Sequence, residues 1–263
     1  GIDSYVPEDI RFEHLPEELA GDIYDAEYVF IAGAYSNTTD DTPYSVILYN
    51  GVSELDVAAS WSLDGALWTE SGTAPVDPLL AICEAGDALI AVGQDGMAAR
   101  LGEGGWGAQP KLVGLDLLGC ATGPSGEIVA VGEGGAVLLR VDGQWSFAGT
   151  VTDRDLRAVA WTSAGVIIAA GPQRVVRFDA DGWHETKVTF DLHGAASAGA
   201  VAWVVGTAGT ILRSDGGNWI LESAPTDQDL FAAAGLGDGH VIAAGDGVVL
   251  LRTGAGWVSL DAP

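Results

Sequence analysis

One phrase recurs along this chain. GAVLLRVDGQW (135–145), GTILRSDGGNW (209–219) and GVVLLRTGAGW (247–257) share a leading glycine, an apolar run, an arginine, a turn and a closing tryptophan. Three markers return with one period. The glycines that close a small-residue step, Gly93, Gly132, Gly171, Gly206 and Gly245, are spaced 39, 39, 35 and 39. The tryptophans Trp68, Trp106, Trp145, Trp183, Trp219 and Trp257 are spaced 38, 39, 38, 36 and 38. Asp77, Asp116, Asp155, Asp191 and Asp229 form a third register; four are followed by Leu, and the first by Pro78-Leu79. A period of this length, held by three markers, means a repeat architecture.

Each unit reads as four short strands. In the third, Leu117–Ala121 is followed by a TGPSG turn, then by EIVAV ending at Gly132. EGG is a tight turn, AVLLR a third strand, and VDGQ a hairpin turn around Asp142-Gly143 before WSFAG. Short β-branched runs with Gly or Pro at each junction, repeated every ~38 residues, predict the blades of an all-β propeller. The glycines supply positive φ in the turns. The tryptophans, at the start of each outer strand, are expected in equivalent, largely buried positions between blades.

Six four-stranded blades are expected, over about 18–74, 77–113, 116–152, 155–188, 191–224 and 229–263, within one domain spanning 18–263. Residues 1–17 form an arm or, through Ile10–His14, a closing strand. The first unit is irregular: 35 residues separate Gly33 from Trp68. The preferred parse puts its first strand at ELAGDIY, its second at YVFIAG, and its third and fourth in ASWSLDGALW, leaving 34–56 as an insertion. If the insertion is itself a partial blade, the count is seven.

RSDGGNW and SLDGALW resemble the Asp-box of bacterial-neuraminidase-repeat (BNR) propellers, roughly Ser-x-Asp-x-Gly-x-x-Trp. VDGQW, DADGW and TGAGW depart from the full box. The wider unit, over 18–260, is most similar to propellers of the photosystem II assembly-factor type. That resemblance implies a β-propeller, often outside the cytoplasm and often an assembly or protein-binding platform; some relatives of the repeat are sialidases and other glycosidases.

The chain carries 37 acids against 11 bases, a net charge of −26. So acidic a surface repels nucleic acid and anionic lipid, and it suits solubility, a salty medium, a basic protein partner or a cation. No apolar run reaches the ~20 residues of a membrane span. The chain begins at Gly1 rather than Met, which fits a trimmed chain and a processed secreted one alike.

Sialidases of the resembling group use an arginine triad. Here five of the nine arginines, Arg100, Arg140, Arg177, Arg213 and Arg252, share one slot five or six residues before a repeat tryptophan. That spacing puts them on the third strand of successive blades, where they cannot converge on one carboxylate. Their expected role is structural, stacking on tryptophan or pairing with an acid of the next blade. The alternative is a positive stripe that meets an anion or a partner. Asp77, Asp116, Asp155, Asp191 and Asp229 precede the innermost strands. They either cap their own loops or form a circle of carboxylates for a cation such as calcium; no other cofactor is implied.

Sites on symmetric rings arise where the repeat is broken. The expected ligand rim therefore joins Tyr35, Asn37, Asp40, Asp41 and Tyr44 of the insertion to Asp95, Glu133 and Asp246 on the turns between second and third strands. No acid pair, glycine phosphate loop, Gly-x-Ser-x-Gly elbow or metal-spaced histidine set is singled out as catalytic. His14, His184, His193 and His240 are dispersed, and His193 is placed either toward the channel or as a satisfied core or rim histidine. Cys83 and Cys120 fall on first strands of neighbouring units at different distances from their Asp, and are expected as free thiols.

The leading reading is a non-enzymatic binding or assembly platform in an extracytoplasmic compartment (secreted, periplasmic or cell surface), with a protein or glycan partner. Two others stand beside it: a carbohydrate-active protein, lectin or glycosidase, and a structural ring of a larger assembly.

Overall fold

A computed structural model of the chain describes residues 29–34, 44–50, 59–64, 67–73, 78–86, 88–102, 105–215, 217–236 and 240–260. They form an all-β propeller of antiparallel sheets. Four sheets have four strands each, in sequence order. The first contains β1 (Val29–Ala34), β2 (Tyr44–Asn50), β3 (Ala59–Asp64) and β4 (Leu67–Thr73). The second contains β5 (Leu79–Ala85), β6 (Ala88–Gly93), β7 (Ala98–Gly102) and β8 (Gly105–Ala108). The third contains β9 (Leu117–Thr122), β10 (Ile128–Gly132), β11 (Ala136–Val141) and β12 (Gln144–Thr150).

The next two repeat units are not separate blades. β13 (Ala158–Trp161), β14 (Ile167–Asp179), β15 (Gly182–Ala198), β16 (Val201–Gly206), β17 (Ile211–Asp215) and β18 (Asn218–Glu222) make one six-stranded sheet. The last four-stranded sheet holds β19 (Leu230–Gly235), β20 (Val241–Gly245), β21 (Val248–Thr253) and β22 (Gly256–Leu260). The expectation of six separate four-stranded blades, or of seven, is therefore corrected to four such blades and one six-stranded sheet. The physical reason lies in two long strands. β14 pairs with β13 through Ile167–Ala170 and with β15 through Pro172–Asp179. β15 runs on from Asp191, opposite Pro172, into the ladder of Leu192–Ala198 with β16. The second, third and fifth units turn between second and third strands on two successive positive-φ residues, Asp95-Gly96, Gly134-Gly135 and Ala208-Gly209. In the fourth unit Gln173 has positive φ, but Arg174 stands where those units have glycine, and the chain continues as one bulged strand.

The first unit is also corrected. Its innermost strand is β1, which packs beside β5, and β2 pairs with both β1 and β3. Among the described residues VFIAG is thus the first strand and not the second, and Ala34 and Tyr44–Asn50 of the expected 34–56 insertion are ladder. ELAGDIY and Ile10–His14 lie outside the described residues.

Strands apolar on both faces hold the sheets together. Successive side chains of a strand point to opposite faces. Along β10, Ile128 and Ala130 join a core with Ile90, Val92 and Leu138, while Val129 and Val131 join another with Leu156, Ile167 and Val176. The third sheet is thereby a shared wall between two cores. The repeat glycine is steric in origin. A Cβ on Gly132 would lie 1.9 Å from the Asp116 carbonyl oxygen, and one on Gly171 or Gly245 would lie 1.9 or 1.8 Å from that of Asp155 or Asp229. Only glycine lets the end of the second strand press on the entrance to the first. The tryptophans do take equivalent places at outer-strand starts, but only Trp257 is buried; Trp106, Trp145, Trp183 and Trp219 are half-buried.

Cys83 and Cys120 form a disulfide, with Cα atoms 5.9 Å apart, which corrects the expectation of free thiols. Counted from the buried leucines Leu79 and Leu117, one cysteine is four residues on and the other three. An odd offset reverses the face of the strand, so Cys83 on β5 and Cys120 on β9 look at each other across adjacent inner strands. What reads as a mismatch in depth is a match in facing. Beside the bridge the Thr122 hydroxyl donates to the Glu84 carbonyl.

Candidate functional site

The entrances to the inner strands and the turns between second and third strands meet at one end of the ring. The repeat aspartates tie them together. Asp116 Oδ1 accepts from Asp95 N at 2.9 Å, Asp155 Oδ1 from Gly134 N at 2.9 Å, and Asp229 Oδ1 from Ala208 N at 2.8 Å. Each aspartate holds the turn of the preceding unit rather than its own loop. Asp191, preceded by the Pro172 turn, keeps a buried Oδ1 with no hydrogen-bond donor among the described residues. Asp77 lies outside them. No three His, Cys, Asp or Glu side chains among the described residues gather closely enough for a metal ion.

Of the expected rim, Tyr35, Asn37, Asp40 and Asp41 lie outside the described residues, and Tyr44 opens β2 opposite Leu63. Asp95, Glu133 and Asp246 are exposed at equivalent turns. Asp95 pairs with Lys111 at 2.9 Å, and Glu133 Oε2 accepts from Asp116 N at 3.5 Å. Asp246 N donates to the Asp229 carbonyl at 2.9 Å.

The same end carries a feature that pattern reading missed. The residue after each buried leucine is a bulge: the ladders slip between Leu79 and Ala81, Leu192 and Gly194, and Leu230 and Ala232. In β9 the same slip leaves Leu118 unpaired between Leu117 and Gly119. Bulges re-aim side chains. Leu80 and Phe231 are 39% and 54% exposed, Leu118 and His193 are half-buried, and Arg157, at the matching place before β13, is exposed. The inner strands are neighbours in the order β5, β9, β13, β15, β19. His193 and Phe231 are already in contact, with ring centroids 5.7 Å apart. The sequence signal for this set was the pair formed by each repeat leucine and the residue after it.

The five repeat arginines are not equivalent. Arg213 Nε and Arg252 Nη2 each donate to Glu222 Oε1 at 3.0 Å. Glu222 Oε2 accepts from Trp257 Nε1 at 2.7 Å, Trp203 Nε1 at 3.1 Å and Arg252 Nε at 3.3 Å. Arg252 also lies over the Trp203 ring, 5.8 Å from its centroid. One carboxylate on β18 therefore clasps the last two units, as the structural reading expects. Burial alone would raise the Glu222 carboxyl; hydrogen bonds from Arg252, Trp257 and Trp203 and the Arg252 charge outweigh it and hold the group below the ordinary range. Arg177 pairs with Asp179, whose other oxygen meets His184 Nε2 at 3.2 Å. The Asp181 N–H, more than the Arg177 and His184 charges, holds the Asp179 carboxyl low. Arg174, outside the repeat slot, lies 2.5 Å from Glu185 Oε1 and 3.5 Å from Asp153 Oδ1. Arg140 differs: its Nε, and the Nε1 of Trp145 opposite it, are buried and meet no acceptor among the described residues. Glu222 was legible as the one acid three residues after a repeat tryptophan.

Among the described residues, no helix is long and apolar enough to cross a membrane. No protein-family model matches the sequence, and no curated protein matches it. Solved structures do. A YCF48 propeller bound to the D1 peptide matches with a TM-score of 0.65 and 17% identity, over 86% of this chain and 78% of that one. YCF48 from Cyanidioschyzon merolae matches with a TM-score of 0.62 and 16% identity, over 89% of this chain and 85% of that one. At these identities the likeness shows the fold, an all-β propeller like those of the YCF48 photosystem II assembly factors.

Proposed function

We propose that this chain is a non-enzymatic platform that binds a protein partner in an extracytoplasmic compartment. The observation that carries the reading is the set of bulged residues at the inner-strand entrances. Exposed large apolar side chains grouped with cationic ones mark a contact surface more often than a solvated one. Leu80, Leu118 and Phe231 supply apolar area, Arg157 supplies positive charge on an otherwise acidic body, and His193 adds a polar ring. The peptide-bound YCF48 propeller supports the same class of role. The disulfide supports an oxidising compartment, because structural disulfides persist there and are rare in cytosol. The rim of Tyr35, Asn37, Asp40, Asp41, Tyr44, Asp95, Glu133 and Asp246 is proposed to widen this contact, and the repeat aspartates to serve it by fixing the turns.

The test is paired recovery of partners from the native host with the parent chain and with Leu80→Asp/Phe231→Asp, folding being followed by circular dichroism. Partner recovery is expected to be lost in the folded variant. Undiminished recovery would move the contact off the channel mouth. Deletion of 36–43 then reports separately on the rim.

A further inference from the structure

The clasp around Glu222 has a counterpart between the second and third units. The hydrogen-bond register makes the correspondence residue by residue. Arg213 lies opposite Trp203 on β16 and Ile220 on β18; Arg100 lies opposite Ile90 on β6 and Gly107 on β8. Arg252 lies directly opposite Trp257; Arg140 lies directly opposite Trp145. Glu222 pairs with Ile211, two residues before Arg213. Gln109, whose N–H donates to the Ala98 carbonyl at 2.8 Å, holds the same place two residues before Arg100. The two interfaces thus share both arginines and the tryptophan. They differ where Glu222 and Trp203 are replaced by Gln109 and Ile90.

We propose that the interface of the second and third units binds a carboxylate supplied by another molecule, held by Arg140 and Trp145 with Arg100 beside them. The chain itself supplies the template. In the last interface the groups equivalent to Arg140 Nε and Trp145 Nε1 both donate to one carboxylate oxygen, at 3.3 and 2.7 Å. Here the same two donors are buried without an acceptor among the described residues. Buried donors of this kind are costly when unmet, and an incoming acceptor recovers that cost. Burial, and then the Arg100 charge, weaken Arg140's hold on its proton. Gln109 is half-buried and neutral. An amide offers one uncharged acceptor oxygen, whereas an incoming carboxylate offers two charged ones and so gains charge-assisted bonds. The inference goes beyond the platform reading, because a free carboxylate suffices to occupy the site.

The experiment titrates the intact protein with sodium acetate and sodium glutarate against sodium chloride at equal ionic strength, reading Trp fluorescence and melting temperature. Saturable, carboxylate-specific stabilisation is expected. Gln109→Glu places the missing group on the chain itself; it should raise the melting temperature and weaken acetate binding at least about tenfold, the loss of roughly one charge-assisted bond. Arg140→Gln should weaken it similarly. A hexapeptide with a free or an amidated C-terminus then separates a chain end from a small acid as the source. No saturable response in the parent protein overturns the proposal, and so does acetate binding undiminished in Gln109→Glu, whichever way Arg140→Gln folds.

Discussion

Replacing Glu222 with Gln removes one charge and keeps the shape of the side chain. The carboxylate receives five donor contacts from Arg213, Arg252, Trp203 and Trp257. Breaking a buried ion pair from one side costs ~3–5 kcal/mol. The Glu222 side chain is 14% exposed, and those of Arg213 and Arg252 are 27% and 23% exposed, so both guanidinium groups regain some water. The tryptophan N–H groups regain little, since Trp203 and Trp257 are buried. The amide oxygen keeps one donor. About 2–4 kcal/mol is therefore expected at neutral pH. The pH dependence gives a second, independent reading. A carboxyl held lower in the folded than in the unfolded chain stabilises at pH above its unfolded value, and that stability is lost as pH falls through the folded value. The gap between parent and Glu222→Gln should thus be full at pH 7 and narrow progressively below about 4.3, the ordinary Glu value. Urea denaturation followed by Trp fluorescence measures both. A difference under about 1 kcal/mol at pH 7, or one that does not shrink in acid, would refute the clasp as a stabilising element.

Gly132→Ala should prevent native folding or cost more than ~4 kcal/mol, because its Cβ would sit 1.9 Å from a backbone oxygen that cannot step aside; a thermal melt like the parent's would contradict that packing. Asp155→Ala should cost ~1–3 kcal/mol through the unmet Gly134 N–H and leave the neighbouring units intact, which amide exchange at Gly134 checks. Cys83→Ser/Cys120→Ser should lose ~2–4 kcal/mol in urea and make the parent's sensitivity to reductant disappear. Trp257→Ala should cost ~3–5 kcal/mol, more than Trp145→Ala, whose ring is half-buried; equal losses would mean that burial does not set the scale.

Much of the architecture was legible because its causes are local. The Asp142-Gly143 turn has both φ values positive, 49° and 77°, as its sequence demands. The third unit falls within a residue or two of the strands read from its apolar runs. The aspartates were read either as caps of their own loops or as a ring for a cation; Asp116, Asp155 and Asp229 do cap turns, but across units, and a pattern along one chain cannot say which neighbour a side chain reaches. The first unit was misread because Gly33, in a sequence like the repeat step, ends no second strand. The cysteines were misread because distance from Asp77 includes Pro78, and a single residue changes the face. The candidate site was the least legible. The contrast between Glu222 and Gln109 needs the register of β8 and β18 before it means anything, since along the sequence each is only the third residue after a tryptophan.

The bridge between Cys83 and Cys120 spans 37 residues, nearly one full repeat. A protease that nicks any loop between them therefore produces two fragments that remain a single molecule. The break would be silent in a sizing column or a non-reducing gel and appear only after thiol is added. Such a ring can be cut in a digestive medium and still present both flanking surfaces in place.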